Sequence, residues 1–132
     1  MTDIGAHHFP PTVAYFKEHT WVRVDGDLAV VGISDYAQAR LGEIIFIDLP
    51  QPGDRFDQDE AFGVVESAKA ASDLYMPVTG EIAAVNELLI DSPETVNSSP
   101  FEDGWMIKVK AEDPTQIEAL MNSDDYLNML KA

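Results

Sequence analysis

Residues 62–75 place two apolar, strand-like segments on either side of Lys69. Basic residues are scarce in this chain, with 8 Lys and Arg against 24 Asp and Glu, so a lysine in this position is unusual. The residues around it are small: Ser67, Ala68, Ala70, Ala71 and Ser72. Two strand-like segments joined by a short run of small residues are typical of a β-hairpin. The pattern predicts a hairpin whose tip presents the Lys69 amine with open space around it.

Short apolar and β-branched runs, separated by turn residues, recur along the rest of the chain. Asp25-Gly26-Asp27 stands between two such runs and is a strong hairpin signal. A further run is expected to form a buried strand at 44–49. The strands predicted in this way cover residues 20–24, 28–33, 44–49, 61–66, 74–76, 81–85 and 105–110. The chain is therefore predicted to be mainly β.

Helices are predicted only in short segments. Ser34-Asp35 begins one that runs through Arg40, with Asp35 and Gln38 at capping-box spacing and Gly42 as its stop. Asp113-Pro114 predicts an N-cap followed by proline in the first turn. The residues expected on one face of that helix are Ile117, Leu120 and Met121, and a second short helix is expected after Ser123. Residues 91–104 are rich in turn formers and predict a loop.

The length of 132 residues predicts a single domain with one core. Residues 1–13 show no periodicity and predict a flexible N-terminal arm, which leaves 14–132 as the domain. Gly42-Glu43-Ile44-Ile45 recurs as Gly80-Glu81-Ile82-Ala83, and each copy begins an apolar strand. This repeat favours a quasi-symmetric β sandwich.

The composition excludes several classes of function. The formal net charge of −16 makes nucleic acid an improbable partner, since phosphates require a basic surface. The same acidity fits docking to positively charged proteins, with association that weakens as salt rises, or it serves solubility alone. The absence of cysteine removes disulfides, thiolate nucleophiles and Cys-based metal sites. With no apolar run long enough to span a membrane and no visible targeting segment, we expect a cytoplasmic protein, or a mitochondrial matrix protein if a transit peptide has been removed.

No enzyme active site is visible in the sequence. Of the histidines, only His19 lies in an ordered-looking segment, too few to predict a metal centre. Glycine-rich phosphate loops are missing, and neither Ser34 nor Ser67 has an adjacent histidine to act as a base. We therefore expect neither catalytic residues nor a metal site.

Lys69 could be an ordinary surface lysine, but its surroundings argue against that interpretation. Gly53 and Gly80 punctuate the flanking strands where backbone turns are needed, and we expect Gly80 to adopt a positive φ. Glu66, three positions before the lysine, supplies a carboxylate that a modifying enzyme could recognise.

The order and spacing of many short motifs resemble those of the glycine cleavage system H protein family. The resemblance covers more than four fifths of the chain. It also extends, through the glycines around Lys69, to the wider lipoyl and biotinyl domain pattern. The matching segments are Glu18-His19-Thr20-Trp21, Val31-Gly32-Ile33-Ser34-Asp35-Tyr36-Ala37-Gln38, Leu41-Gly42-Glu43-Ile44, Leu49-Pro50-Gln51-Pro52-Gly53, Val65-Glu66-Ser67-Ala68-Lys69-Ala70-Ala71-Ser72-Asp73-Leu74-Tyr75, Pro77-Val78-Thr79-Gly80-Glu81, Val85-Asn86-Glu87, Pro93, Asn97 and Gly104-Trp105.

The resemblance implies a barrel-sandwich hybrid of two antiparallel sheets, with a short internal helix and C-terminal helices. It implies a non-catalytic carrier with lipoate in amide linkage to Lys69. Its implied partners are a pyridoxal-phosphate-dependent glycine decarboxylase, a folate-dependent aminomethyltransferase, dihydrolipoyl dehydrogenase, and a lipoate ligase or lipoyl/octanoyl transferase. The residues expected at the cofactor site are Lys69, Glu66, Ser67, Gly80, Asp73, His19 and Thr20.

Two positions depart from the family pattern. Thr20 stands where the family usually has a glutamate, which is expected to help hold the cationic aminomethyl group in a surface cleft. Asp73 is the nearest acidic residue that could substitute for it. Ala68 replaces the commoner valine beside the lysine. Two alternatives remain open: a lipoate-relay protein that donates lipoyl groups to 2-oxoacid dehydrogenases, and an unmodified acidic adaptor that kept only the fold.

Overall fold

The computed structural model of the chain describes residues 9–131. Its strands are β1 (Ala14–Tyr15), β2 (Thr20–Asp25), β3 (Leu28–Ile33), β4 (Ile44–Asp48), β5 (Arg55–Phe56), β6 (Ala61–Ser67), β7 (Ala71–Tyr75), β8 (Gly80–Val85) and β9 (Ile107–Ala111). Its helices are α1 (Asp35–Leu41), α2 (Leu88–Asp91), α3 (Thr95–Ser98), α4 (Pro114–Glu118) and α5 (Ser123–Lys131). No helix among the described residues is long and apolar enough to cross a membrane.

Within residues 9–131 the strands form two antiparallel sheets, as expected. One is six-stranded, with the order β1-β2-β3-β9-β8-β5, and the other is three-stranded, with the order β4-β6-β7. The β2–β3 hairpin turns at Gly26, which has a φ of 61°, and pairs Asp25 with Leu28. The hairpin predicted from Asp25-Gly26-Asp27 is confirmed.

Strand β3 shows why the core has two parts. Alternate side chains of a strand point to opposite faces. Ala29, Val31 and Ile33 join the large cluster between the sheets, and Val30 joins a second cluster with Trp21 and Tyr126. Helix α5 therefore covers the outer face of the six-stranded sheet, where the Tyr126 ring stacks on Tyr15 with centroids 4.6 Å apart.

Helix α1 begins one residue earlier than its predicted capping box implies. Ser34 is the N-cap, and its hydroxyl accepts a hydrogen bond from the Ala37 N–H at 3.2 Å. Gln38 instead donates to the Asp35 side chain at 2.6 Å. Gly42 ends the helix with a φ of 85°, as expected.

Strand β4 is less buried than predicted. Ile44 and Ile47 are buried, but Ile45 and Phe46 are 55% and 52% exposed. A shift in the pairing register with β6 between Ile44 and Phe46 is the reason, because a bulge interrupts the alternation of side chains.

The loop predicted at 91–104 contains helix α3 and the end of α2. Asn97 ties α3 to the rest of the domain. Its side chain accepts a hydrogen bond from the Ile44 N–H at 2.8 Å and donates to Gln38 at 2.7 Å and to the Gly42 carbonyl at 2.9 Å. These distant partners, which local turn chemistry does not reveal, stabilise the helix.

The ends of the domain also differ in detail from the prediction. Asp113 caps α4 by accepting from the Thr115 N–H at 3.0 Å, as expected, but the helix ends at Glu118. Met121 therefore lies beyond it and forms an isolated bridge with Tyr15. Of the predicted arm at 1–13, residues 1–8 lie outside the described residues, and Val13 is only 6% exposed within the second cluster.

Candidate functional site

Lys69 lies at the tip of the β6–β7 hairpin, where the sequence predicts it. Glu66 and Ala71 form the last pair of the ladder, and the Ser67 N–H donates to the Ala70 carbonyl at 2.8 Å to close the turn. Lys69 is exposed and so are the small residues that follow it. No ion pair engages Lys69 among residues 9–131. Its amine is therefore accessible to a modifying enzyme.

Ser67 stabilises the tip from inside. It is 9% exposed, and its hydroxyl accepts hydrogen bonds from the N–H groups of Ala70 at 3.2 Å and Lys69 at 3.4 Å. These are turn N–H groups that the ladder leaves without a partner. Ser67 therefore fixes the backbone that carries the lysine.

The lysine stem lies against the end of helix α1. A Cβ placed on Gly42 would stand 3.3 Å from Lys69 Cε and 3.8 Å from Nζ. Gly42 thus serves twice, as the positive-φ stop of the helix and as the flat surface under the lysine. The contact brings Lys69 beside the residues that line a cleft.

That cleft has a volume of about 320 Å³. One wall comes from the β1–β2 turn and the start of β2, the other from α1, and the sheets close the bottom. Its lining residues are Glu18, His19, Thr20, Ile33, Tyr36, Ala37, Arg40, Leu41, Val65, Ser72, Asp73 and Leu74. A second cavity of about 400 Å³ has no described lining residue from the Lys69 hairpin.

His19 is held in an unusual backbone conformation within the first wall. Its φ is 74°, its carbonyl accepts from the Ser34 N–H at 2.9 Å, and its Nδ1 lies 2.8 Å from the Tyr126 hydroxyl. Burial lowers the pKa of His19 below its ordinary value; Glu18 opposes this lowering and Arg40 adds to it. The ring is thus predominantly uncharged at neutral pH.

Thr20 lies at the bottom of the cleft and is 1% exposed. Its hydroxyl donates to the Tyr75 carbonyl at 3.1 Å, which ties β2 to β7 across the two sheets. Because its only proton is used in that bond, the Thr20 hydroxyl oxygen can take part in a further hydrogen bond only as an acceptor. The exposed carboxylates of the cleft are Glu18 and Asp73.

The structure separates two of the expected site residues from the cleft. Glu66 pairs with Phe46 and Ala71 and is not among the cleft lining. Gly80 begins β8 in the other sheet, and the expectation of a positive φ there is wrong. A Cβ on Gly80 would collide with the Lys110 carbonyl and the Val109 side chain, so close approach of strands explains this glycine.

Several cleft residues were not singled out from the sequence. Glu18 directly precedes His19, and its position in the same motif was a usable signal. Tyr36 and Arg40 stand four positions apart on α1, so they share a face, and the Arg40 guanidinium donates to the Tyr36 hydroxyl at 2.8 Å. Only the assembled walls show that this face borders the cleft. Among residues 9–131, no His, Cys, Asp or Glu cluster is placed to hold a metal ion.

Comparisons with known proteins agree with this geometry. Residues 13–132 match the family described as "Glycine cleavage H-protein". The "Glycine cleavage system H protein" of Brevibacillus brevis is 50% identical over 123 residues, covering 93% of this chain and 98% of the relative. That of Halothermothrix orenii is 48% identical over 122 residues, covering 92% and 95%.

A solved structure is similar over nearly the whole fold. The crystal structure of a glycine cleavage system H protein from Mycobacterium marinum matches with a TM-score of 0.86 and 30% sequence identity, covering 94% of this chain and 100% of that one. The resemblance noted from the motifs and the mainly β fold of two antiparallel sheets are both confirmed. The chain belongs to the glycine cleavage H-protein family.

Proposed function

We propose that this protein carries lipoate in amide linkage to the Lys69 Nζ and presents it to the enzymes of glycine cleavage. Members of its family are lipoyl carriers of the glycine cleavage system and not catalysts, so the expected role and the expected cofactor are confirmed. The attachment point is supported by one observation above the others. Lys69 is an exposed amine at a hydrogen-bonded hairpin tip, directly beside a cleft.

The residues around Lys69 fit a lipoyl group. The exposed small side chains at the tip leave room for a modifying enzyme, and lysine plus lipoyl forms an arm of roughly 14 Å. An arm of that length can extend into another active site or fold into the 320 Å³ cleft. When bound, lipoate would supply a disulfide that takes up the aminomethyl group of glycine and is reduced as its S–S bond opens; the dithiol left after unloading would then give up two electrons and close again to the disulfide.

The cleft can hold a cationic cargo. Glu18 and Asp73 contribute negative charge at its rim, and the Thr20 hydroxyl can accept a hydrogen bond from an ammonium group. His19, being predominantly uncharged at neutral pH, adds little repulsion. These residues would orient the amine of the cargo and hold the cargo in the cleft, away from water.

The proposed partners follow from that chemistry. A pyridoxal-phosphate-dependent glycine decarboxylase loads the arm, a folate-dependent aminomethyltransferase unloads it, and dihydrolipoyl dehydrogenase reoxidises it. A lipoate ligase or a lipoyl/octanoyl transferase attaches the cofactor. The acidic surface, with a formal net charge of −16, supports docking to basic patches on these proteins. We place this cycle in the cytoplasm.

The attachment site is tested by intact mass and peptide mapping after coexpression with a lipoate ligase. We expect one adduct, on Lys69. Lys69→Arg should fold normally and carry none, because arginine keeps the charge but cannot form the amide. Lys110→Arg, at an exposed lysine near Glu81, is the matched control and should be loaded like wild type. An adduct elsewhere with Lys69 free would overturn the assignment.

The role is tested by glycine–carbon dioxide exchange with the cognate decarboxylase. We expect exchange with the lipoylated protein and none with Lys69→Arg. Lipoyl transfer to a 2-oxoacid dehydrogenase domain in the absence of exchange would establish the relay alternative. A chain that is never lipoylated would instead be the unmodified adaptor.

A further inference from the structure

We propose that Tyr126 is a positioning residue whose hydroxyl joins the two walls of the cleft beside Lys69. The inference rests on the proposed function for its consequence, though the contacts stand independently of it. The Tyr126 hydroxyl lies 2.8 Å from His19 Nδ1 and 2.7 Å from the Ser34 hydroxyl. A single buried oxygen of the C-terminal helix therefore contacts both walls, which are more than ninety positions away in the sequence.

His19 forms the first wall through contacts on its backbone and on its ring. The His19 carbonyl accepts from Ser34 N–H and its own N–H donates to the Phe16 carbonyl, both at 2.9 Å. These bonds hold a φ of 74°, which residues other than glycine adopt at a cost. These backbone bonds do not orient the imidazole, and we assign that role to the 2.8 Å contact between the Tyr126 hydroxyl and Nδ1.

Ser34 controls the second wall because it caps helix α1. Its hydroxyl accepts from the Ala37 N–H at 3.2 Å, and α1 carries Tyr36, Arg40 and Leu41 into the cleft. A hydroxyl has one proton to donate and can accept as well. We assign Ser34 as the donor to Tyr126, and Tyr126 as the donor to the unprotonated Nδ1 of His19. This direction satisfies all three side chains at once.

The ionisation of both rings agrees with that direction. Burial raises the pKa of Tyr126 to about 12, Ser34 opposes this rise and Tyr36 adds to it, so the phenol keeps its proton at neutral pH. The charged and titratable groups near His19 are Glu18, Arg40, Tyr36 and Tyr126 itself. The first two act on the His19 ring through charge, the Tyr36 ring centroid lies 5.6 Å from that of His19, and the Tyr126 hydroxyl lies 2.8 Å from His19 Nδ1.

The hydroxyl can be removed without removing the ring. Tyr126 is fully buried and stacks on Tyr15 with an interplanar angle of 4°, and these contacts do not involve the oxygen. Tyr15 offers a matched control in the same cluster. Tyr15 is also fully buried, and its hydroxyl donates to the Pro10 carbonyl at 2.8 Å. Among residues 9–131, no hydrogen bond joins the Tyr15 hydroxyl to His19 or to Ser34.

The test compares Tyr126→Phe with Tyr15→Phe. In the unlipoylated protein, the pKa of His19 is followed by NMR of the ring protons. Loss of a donor to Nδ1 removes a bond that favours the neutral ring, so Tyr126→Phe should raise the pKa of His19 toward its ordinary value. Tyr15→Phe should leave it unchanged. An unchanged pKa in Tyr126→Phe, or an equal rise in both variants, overturns the proposal.

The second measurement uses the lipoylated protein loaded with glycine-derived carbon. Release of that carbon should be about two- to tenfold faster in Tyr126→Phe than in Tyr15→Phe, the effect of one hydrogen bond. Equal release rates overturn the positioning role. If wild type never becomes lipoylated, the proposed function fails, while the His19 titration still decides whether Tyr126 orients the ring.

Discussion

Lys69 Cε lies 3.3 Å from the point where a Cβ on Gly42 would stand. The residue that ends helix α1 is therefore also the residue over which the attachment lysine passes. The same glycine has a φ of 85° and a ψ of −162°, a conformation that is open essentially only to glycine. Helix termination, lysine orientation and the edge of the cleft are set by one position.

Gly42→Ala should lower both stability and modification. We expect a loss of about 1–3 kcal/mol in the free energy of unfolding from backbone strain, measured by urea denaturation. The added methyl group also crowds the Lys69 stem, so lipoylation by a ligase should slow. Gly53→Ala is the control, because Gly53 has a φ of 97° and, apart from Gly53 itself and its two chain neighbours, no atom of residues 9–131 lies within 4 Å of its Cβ position. Equal lipoylation rates in the two variants would show that the lysine does not depend on this contact.

Gly80→Ala should destabilise the fold without impairing the site. Its Cβ would collide with the Lys110 carbonyl, which belongs to the neighbouring strand and cannot move independently. Overpacking of this kind costs about 1–3 kcal/mol, measurable as a lower midpoint of thermal unfolding. Folded Gly80→Ala should still be lipoylated at the wild-type rate. A wild-type unfolding midpoint would mean that β8 and β9 separate readily at this position.

Thr20→Glu should lengthen the lifetime of the cargo on the loaded protein. A carboxylate at this position adds a negative charge, so its hydrogen bond to the cationic amine, worth roughly 1.5–3 kcal/mol, is stronger than the one that the neutral threonine hydroxyl can accept. Thr20→Gln is the control, since glutamine has nearly the same shape as glutamate and carries no charge. Release of glycine-derived carbon is the measurement. If the Glu and Gln variants release it equally fast, position 20 does not protect the cargo.

His19 should make stability depend on pH. Because burial lowers its pKa in the folded chain, the unfolded chain binds a proton at higher pH. The contribution of the neutral His19 ring to the free energy of unfolding is complete above the unfolded-state pKa of about 6.5. It is lost as the pH falls toward the lower folded-state pKa. His19→Asn tolerates the positive φ and cannot titrate. Urea denaturation from about pH 7.5 downward should show a shallower decline in His19→Asn than in wild type.

Two parallel declines would contradict this assignment and show that other groups dominate the pH dependence. Carboxylates protonate in both proteins, so only the difference between them reports on His19. The comparison is sharpest near the ordinary histidine pKa, because there most carboxylates keep their charge.

Local chemistry determined much of this protein from the sequence alone. The small residues around Lys69 predicted the hairpin tip, Asp25-Gly26-Asp27 predicted the β2–β3 turn, and Gly42 predicted the end of α1. Each prediction depended on neighbours in the chain, whose backbone preferences act without the rest of the fold. The family motifs identified the carrier role and the lipoyl cofactor, which the comparisons confirm. Attachment at Lys69 itself stays a prediction.

The tertiary structure alone decided where those local pieces meet. It exposed Phe46 through a bulge, assigned Gly80 to a close approach of strands, and made Asn97 an anchor for α3. It also placed the Tyr126 hydroxyl on the ring of His19, 107 positions away. Such contacts depend on how two sheets and a terminal helix pack against one another. Hydrogen bonds and steric contacts act over a few ångströms in space and leave no periodicity in the sequence, so their partners become visible only once the chain is folded.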